Sequence, residues 1–297
     1  MIVVKDTVPL TGKGFPCPEV FLGCGAASIV EANPADCALH DVVVFHISED
    51  STPHMRRWEG LAAAVREIRP DVAIWNEPRC DLGDKLAVDD FVRLHGGIPG
   101  VKMPRSWRLN RLEDCDSVAI FPCVVRKPRG WGGAGTLLAV DAAGLRDAAN
   151  RLACWPLQAA EFIAPDTTSH MAVRFQIVGD TLAGYWALPS DKPIVHASDT
   201  DWDRAIAADR RFAAWLPTRD LSALVGGVRA MFGPGWYLLD LVWSRDSLWF
   251  CEIGYKIFDP HREDCFRAHG VQWTPPKRMD DPAAMQSLIR AELARLG

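Results

Sequence analysis

The sequence lacks any uninterrupted apolar run of the roughly 18 residues that a membrane-spanning helix needs. Its first stretch, MIVVKDTVPLTGKGFPCPEV, has no long apolar core behind a basic head, so we do not expect a signal peptide. Runs of Lys and Arg are also missing, and the formal net charge is −5. We therefore expect neither a membrane nor a nucleic acid as a partner, while a small anion site stays open.

Paired cysteine motifs are missing as well. The nine cysteines are an odd number and no CxxC occurs among them, which argues against a disulfide framework and a structural zinc site. This pattern predicts a reducing, cytoplasmic environment. Cys123 and Cys251 lie in strand-like apolar runs, where we expect them to be small core residues.

Several familiar catalytic signatures are absent. The glycine-rich stretch VVRKPRGWGGAGT contains no GK[ST], so it is not a Walker A loop. It leads into the strand-like run TLLAV, whereas a Rossmann GxGxxG would open a helix. No Ser-His-Asp or Cys-His arrangement has a recognisable context, so we do not expect hydrolysis through a covalent nucleophile.

Strand-like and helix-like segments follow one another in a regular order. In the first third, the apolar runs DVVVFHI and RPDVAIWN flank the amphipathic stretch TPHMRRWEGLAAAVREI, which predicts a parallel βαβ sheet. A helix is predicted to begin near Asp84 and to end at Gly96 and Gly97. A hairpin is predicted around Gly179 and Asp180. The length of 297 residues and the hydrophobic fraction of 48% favour mixed α/β structure in two or three lobes.

Two acids, Asp240 and Glu252, flank an apolar hairpin. A three-residue turn at Arg245, Asp246 and Ser247 would make the two acids cross-strand neighbours, with Cβ atoms about 4.5–5.5 Å apart. Like charges at that distance destabilise each other or force one acid to hold a proton. A shared Mg²⁺, held by the acids and by substrate phosphates, would resolve the repulsion. A two-residue turn would offset the pairing and separate the acids. A surface hairpin with both acids in water is the alternative.

The glycine-rich loop is a candidate phosphate site. Its glycines can bring backbone N–H groups close to a phosphate, and Lys127 just before them can add a point charge; the glycines are Gly130, Gly132, Gly133 and Gly135. The alternative is a flexible hairpin tip without a ligand.

The order of these segments is more informative than any one of them. The sequence runs from DKL at residues 84–86 through FPCVVRKPRGWGGAGT, LQAAEFI and VRFQIVGD to DLVWSRDSLWFCEIG. This order resembles the ATP-grasp superfamily, in the style of glutathione synthetase and the ribosomal-protein glutamate ligases. The resemblance implies a small parallel α/β domain over residues 1–84 and an ATP-grasp domain of two α+β lobes over residues 85–297. The small lobe would span about 106–163 and the large lobe about 164–297.

The resemblance also implies residue roles. Lys85 and Lys127 would contact the nucleotide phosphates, and Arg174 would lie near the transferred phosphate. Glu161, Phe162 and Ile163 would form a hinge whose backbone faces the adenine, and Asp166 would contact the ribose. Asp240 and Glu252 would be two ligands for Mg²⁺ or Mn²⁺.

The implied activity is that of an ATP-dependent carboxylate–amine ligase that works through an acyl phosphate on small molecules or peptides. Two departures keep other activities open. Gly254 stands where the family usually has Asn, and the usual downstream arginine is missing, so either Lys192 or His196 replaces it or the acceptor site differs. The alternatives are a small-molecule kinase on the same fold and a nucleotide-binding protein without turnover. Lys256 and His261 are further candidates for contact with an anionic substrate, and a homodimer is left open.

Overall fold

The computed structural model describes residues 1–5, 24–47, 55–130, 133, 135–165, 169–195, 202–255 and 282–296. Five residues singled out from the sequence lie outside these ranges: Gly132, Asp166, His196, Lys256 and His261. Within the described ranges, the strands form three sheets.

The first sheet is parallel, as the apolar runs of the first third predict. Its elements are the strands β1 (Ile2–Lys5), β2 (Gly25–Ser28), β3 (Val42–His46) and β4 (Ala73–Trp75), in the spatial order β2-β1-β3-β4, and the helices α1 (Pro34–Ala38) and α2 (Met55–Ile68). Trp58 of α2 is fully buried and meets Phe45 of β3 edge-on, with 5.5 Å between the ring centroids. Packing of the amphipathic helix on the sheet thus confirms the predicted α/β unit.

A helix and a short strand connect this sheet to the rest of the chain. Helix α3 (Lys85–Leu94) begins as predicted at Asp84, whose carboxylate accepts hydrogen bonds from two N–H groups of the first turn. The helix ends before Gly96 and Gly97, which both adopt positive φ. Strand β5 (Val101–Lys102) follows and joins the third sheet.

The second sheet is antiparallel and carries the glycine-rich loop. Its elements are β6 (Ser106–Leu109), β7 (Cys123–Arg126), β8 (Thr136–Ala139) and β9 (Leu157–Glu161), in the order β6-β9-β7-β8, with a 3₁₀ turn (Leu112–Ser117) and helix α4 (Ala142–Leu152). Leu145 of α4 is buried in one apolar cluster with Cys123 and Val125 of β7. Because side chains alternate along a strand, Arg126 lies on the opposite face of this sheet.

The third sheet is the largest. Its strands are β10 (His170–Val178), β11 (Thr181–Ser190), β12 (Trp236–Ser244) and β13 (Ser247–Gly254), in the order β11-β10-β12-β13-β5. Its helices are α5 (Trp202–Trp215), followed by a 3₁₀ turn (Leu216–Thr218), α6 (Leu221–Phe232) and the terminal α7 (Pro282–Ala294). Phe175 and Leu239 on one face of the sheet pack with Phe212 of α5 and Val228 of α6 in the main core. None of the helices in the described part of the chain is long and apolar enough to cross a membrane.

The hairpin that carries the two acids has a different turn from the predicted one. Ser244 pairs with Ser247, so Arg245 and Asp246 alone form the turn, both with positive φ, and the predicted three-residue turn is wrong. Positive φ at both turn residues suits the twist of a two-residue hairpin. The register then shifts between Asp240 and Leu241, because β13 contains one extra residue at Cys251. This bulge cancels the offset that the shorter turn introduces.

Candidate active site

Asp240 lies opposite Glu252 on β13 and opposite Arg174 on β10. Arg174 donates two hydrogen bonds to the Asp240 carboxylate: Nη2 reaches Oδ2 at 2.7 Å, and Nε reaches Oδ1. The guanidinium also stands 5.2 Å from the ring centroid of Trp186 on β11. A planar arginine that faces a carboxylate in this way forms the strongest kind of ion pair. The charge of Asp240 is therefore balanced from within its own sheet.

Glu252 is balanced from outside its sheet. Lys85, the first residue of α3, places Nζ 3.3 Å from Oε2 of Glu252 and 2.5 Å from the carbonyl oxygen of Gly130. The backbone N–H of Lys85 donates to the carbonyl of Pro128 at 2.9 Å. One residue thus connects the glycine-rich loop to the acid at the end of the hairpin.

The pKa of Glu252 follows from this arrangement. Burial opposes its ionisation, but the positive charges of Lys85, Arg126 and Arg174 outweigh that effect and hold the pKa below its usual value. Glu252 is therefore an ionised carboxylate at neutral pH, and the 36% exposure of its side chain also favours the charged form. An ionised oxygen donor is what a hard divalent cation requires.

Arg126 is a cation that the sequence interpretation missed. Its Nη2 donates to the carbonyl oxygen of Cys251 at 3.0 Å, and its Nε donates to Oε1 of Gln158 at 2.6 Å. The first contact joins the second sheet to the bulge of the third. The alternation of side chains in the strand CVVR could have indicated this position of Arg126. Cys123 and Val125 face the apolar core of the second sheet, so Arg126 faces the opposite side.

Lys127 lies along the glycine-rich loop. Its N–H donates to the carbonyl of Gly135 at 3.0 Å, and a Cβ atom added at Gly135 would lie 3.0 Å from Cδ of Lys127. Gly133 and Gly135 both have φ of +74°, a conformation that other residues rarely adopt. The loop between β7 and β8 therefore needs glycine at these positions. The lysine that the structure pairs with Glu252 is Lys85.

The predicted hinge begins at Glu161, the last residue of β9. The N–H of Glu161 donates to the carbonyl of Arg105 at 2.8 Å, and the N–H of Phe162 donates to that of Pro122 at 3.1 Å. The N–H groups of Glu161 and Phe162 are thus already used by other backbone carbonyls. The third predicted hinge residue, Ile163, takes part in neither of these two bonds. The Phe162 ring lies 5.4 Å from that of His170, the first residue of β10, and burial lowers the pKa of His170. The hinge thus meets the beginning of β10.

Two buried amides in the sheets have unsatisfied polar atoms. Gln158 on β9 is 1% exposed and its Nε2 has no hydrogen-bond partner; Gln176 on β10 is 0% exposed and neither Nε2 nor Oε1 has one. Buried amide groups are nearly always paired, so each such atom needs an explanation. In the sequence, Gln176 is a polar residue between the apolar Phe175 and Ile177 of VRFQIV. This pattern could have indicated a buried amide, and the sequence interpretation did not consider it.

Three solved structures are similar to this chain over nearly its whole length. A RimK domain ATP-grasp protein from Sphaerobacter thermophilus matches with a TM-score of 0.55 at 15% identity, over 99% of this chain and 100% of that one. The chain has the ATP-grasp fold. A carboxyaminoimidazole ribonucleotide synthase from Aspergillus clavatus, complexed with ATP, matches with a TM-score of 0.52 at 14% identity, over 94% and 78% of the two chains. An L-amino acid ligase from Bacillus licheniformis gives 0.52 at 13% identity, over 97% and 73%.

No protein-family model and no curated protein matches the sequence. The ATP-grasp fold that the resemblance implies is therefore confirmed by these structures. The narrower likeness to glutathione synthetase, the domain boundaries and the roles of individual residues stay predictions.

The residues present fit a divalent cation. Asp240 and Glu252 are direct cross-strand neighbours in the third sheet, and the pKa of Glu252 is lowered. In the described part of the chain, no group of three or more His, Cys, Asp and Glu side chains could hold a metal ion. The protein would thus supply two carboxylates from this site, which is the usual share for Mg²⁺ when substrate phosphates and water complete its shell.

Proposed function

We propose that this protein is an ATP- and Mg²⁺-dependent ligase that joins a carboxylate to an amine through an acyl phosphate. The observation that carries the proposal is the pairing of Asp240 with Glu252, surrounded by Lys85, Arg126 and Arg174. Three positive side chains and two carboxylates next to a glycine-rich loop are suited to bind a nucleoside triphosphate together with its metal ion. The ATP-grasp fold and the ligases among the similar structures support the reaction class.

The nucleotide would lie between the second and third sheets. Ile163 at the hinge would bind the adenine through its backbone, and Asp166, which lies outside the described residues, would contact the ribose. The loop glycines Gly130 and Gly133, with Lys127, would bind the phosphates. Positive φ in this loop lets the backbone approach an anion that side chains would otherwise block.

Asp240 and Glu252 would hold Mg²⁺ or Mn²⁺, which when bound neutralises charge on the phosphates. Lys85 would do the same from the α3 end of the cleft, and Arg174 would keep Asp240 oriented while placing positive charge beside the transferred group. Such preorganised charge accounts for most of the catalysis in phosphoryl transfer.

Bond making then follows in two steps. A carboxylate oxygen of the acid substrate attacks the γ-phosphorus, and ADP leaves with the electrons of the broken P–O bond. The amine next attacks the carbonyl carbon of the acyl phosphate, inorganic phosphate leaves, and the amine gives up a proton. Neither step needs a covalent protein nucleophile. The half-buried thiol of Cys251 is poorly suited to be one, because loss of hydration raises its pKa.

A second candidate, nucleotide binding without turnover, is favoured by Gly254. This residue ends β13 opposite Leu238 and has no side chain to act as a ligand where the family usually has an amide. A kinase that stops after phosphoryl transfer is the third reading. Product analysis separates the three, because a ligase yields ADP, phosphate and an amide, a kinase yields a stable phosphorylated product, and a binding protein yields none.

The direct test is an ADP-release screen of the purified protein against pairs of amino acids and short peptides with Mg²⁺. We expect Glu252→Ala and Lys127→Ala to abolish Mg·ATP-dependent ADP release, with an unchanged far-UV spectrum. Glu113→Ala, at a glutamate whose side chain is 72% exposed, is the matched control. Unchanged ADP release in both site variants would overturn the assigned site. The cytoplasmic location and a homodimer are further proposals that this screen does not address.

A further inference from the structure

The strand order of the first sheet reverses at β1 and β3. The order is β2-β1-β3-β4, and every neighbouring pair is parallel. The chain therefore leaves β1 toward one side of the sheet and leaves β3 toward the other side. In open parallel sheets, ligands bind in the crevice outside the carboxyl ends of the two strands where the order reverses. The carboxyl ends of β1 and β3 are the corresponding place in this protein.

Polar side chains end the three strands at this place. Lys5 is the last residue of β1 and His46 the last residue of β3, and the two are direct partners in the sheet. The partner of Lys5 on its other side is Ser28, the last residue of β2. Partners on neighbouring strands point to the same face, so the hydroxyl, the ammonium and the imidazole form one row. We call Ser28, Lys5 and His46 the edge row.

The edge row is accessible to a ligand. All three of its side chains are only half-buried, whereas Val3 and Val44, two residues earlier on the same face, are completely buried. These two valines pack with Leu288 and Ile289 of α7 in one apolar cluster. The edge row thus lies at the border of this packed layer, where solvent reaches it.

The charge of the edge row is not balanced within it. The backbone carbonyl of Lys5 accepts a hydrogen bond from the N–H of Ile29 at 2.7 Å, but its ammonium group has no ion-pair partner among the residues that the structure describes. Lysines seldom give up water without such a partner. An anion would supply it, and the imidazole of His46, whether neutral or protonated, and the hydroxyl of Ser28 can each donate one further hydrogen bond.

Hydrogen bonds fix this edge of the first sheet to the hairpin of the two acids. Asn76, directly after β4, donates from Nδ2 to the carbonyl of Phe45 at 3.0 Å, and its Oδ1 accepts from the N–H of Trp236 at 2.9 Å. The hydroxyl of Tyr255 donates to the carbonyl of Glu77 at 3.2 Å. Trp236 begins β12 and Tyr255 directly follows β13. The edge row therefore belongs to the same side of the molecule as the candidate active site.

We propose that Ser28, Lys5 and His46 bind an anionic group of a ligase substrate, a carboxylate or a phosphate that is not the group that reacts. The inference rests on the proposed ligase function and deepens it, because it assigns part of the substrate recognition to the first sheet. The site is separate from the nucleotide site, whose cations come from α3, β7 and β10.

The test compares substrates that differ in one anionic group. ADP release by the wild-type protein is measured with glutamate against glutamine and with O-phosphoserine against serine, each as the free amino acid and at either end of a dipeptide with alanine. In one of the two pairs we expect the KM of the anionic member to be about ten-fold lower, the effect of a hydrogen bond to a charged group. A difference in the first pair would identify a carboxylate, and one in the second pair a phosphate. Equal KM values within both pairs would overturn the inference.

Variants at Lys5 assign the KM difference to the edge row. Lys5→Met retains the length of the side chain without its charge, so the KM ratio should fall to about one, while Lys5→Arg should preserve most of it. Arg151→Gln is the matched control, because it removes one positive charge from a side chain on α4 that is 64% exposed. It should leave the ratio as in the wild type. An unchanged ratio in Lys5→Met, or an equal loss in Arg151→Gln, would contradict the assignment.

A second variant separates recognition from folding. Lys5→Met should unfold at the same temperature as the wild type, because its ammonium group loses no ion pair within the described residues. Ser28→Ala leaves the charge of the edge row intact and removes one donor, so the KM ratio should fall about three-fold. It carries the test alone if Lys5→Met does not fold. A lower Tm in either variant with an unchanged KM ratio would show that the edge row is structural only.

Failure of the ligase proposal itself would look different. If the wild type releases no ADP with any substrate, calorimetry with the same compounds and a non-hydrolysable ATP analogue decides the role of the edge row. Binding of an anionic compound to the wild type, with about ten-fold weaker binding to Lys5→Met, would support the inference. Binding of no anionic compound to the wild type, or equal binding to both proteins, would overturn it.

Discussion

The two acids of the candidate site differ in what holds them. Asp240 is paired with Arg174, its cross-strand neighbour in the same sheet, through two side-chain hydrogen bonds. Glu252 is held by Lys85 from α3 and is influenced by Arg126 from the second sheet. One acid is thus preorganised within its own sheet, while the charge state of the other depends mainly on cations from helix α3 and the second sheet.

The largest effect is expected from breaking the internal pair. Arg174→Met leaves the Asp240 carboxylate, whose side chain is 19% exposed, without its main partner. We expect a loss of about 100-fold in kcat/KM for Mg·ATP, and a loss of about 1–3 kcal/mol in the free energy of unfolding. Steady-state ADP release and urea unfolding measure the two effects.

The double variant Arg174→Met/Asp240→Asn is the control for that result. Removing both charges should recover most of the lost stability without recovering activity, because the unpaired carboxylate is gone while the positive charge is still missing. Recovery of activity in the double variant would contradict the catalytic role of Arg174.

An intermediate effect is expected from the pair of Lys85 and Glu252, and it depends on pH. Because the pKa of Glu252 is lowered in the folded state, the stability from its ionised form is present above the unfolded value of about 4.3 and is lost as the pH falls through the folded value. Lys85→Met should raise the pKa of Glu252. The Tm difference between wild type and variant should therefore be largest near neutral pH and shrink as the pH falls below about 4.

A smaller Tm difference between the wild type and Lys85→Met should persist at acidic pH. Lys85 also donates to the carbonyl of Gly130, and loss of this bond does not depend on pH. Arg126→Leu should give the same pH trend with a smaller amplitude, because Lys85 has the stronger influence on Glu252. A Tm difference that stays constant from neutral pH to acid in Lys85→Met would show that Glu252 has no lowered pKa.

The smallest effect is expected at the hairpin turn. Asp246 has φ of 53°, which glycine adopts without steric cost, so Asp246→Gly should stabilise the protein by about 0.5 kcal/mol. Urea unfolding measures this change, and ADP release should be unaffected because the register of the acids is maintained. A destabilised Asp246→Gly would indicate that the aspartate side chain contributes more to the turn than its backbone conformation costs.

The hairpin also shows how far the sequence could lead. The pairing of Asp240 with Glu252 was predicted correctly, but from a three-residue turn that does not exist. The structure reaches the same pairing through a two-residue turn and an extra residue at Cys251. A bulge depends on contacts from outside the strand, here the hydrogen bond from Arg126 to the Cys251 carbonyl, so the local pattern could not reveal it.

Local patterns determined most of the elements. The start of α3 at Asp84, the hairpin at Gly179 and Asp180 and the parallel first sheet all follow from capping, turn residues and apolar periodicity, which act over a few neighbouring residues. The order of the motifs also predicted the ATP-grasp fold, since that order reflects how successive elements pack.

Only the tertiary structure decided which cation meets which acid. Lys85 and Glu252 are far apart in the sequence, as are Arg126 and Cys251, and nothing in the local spacing of either pair indicates their contact. It also decided that the Gln176 amide is buried without a partner. The physical reason is that charge balance and hydrogen-bond satisfaction depend on every group packed around an atom, and packing of separate elements brings those groups together.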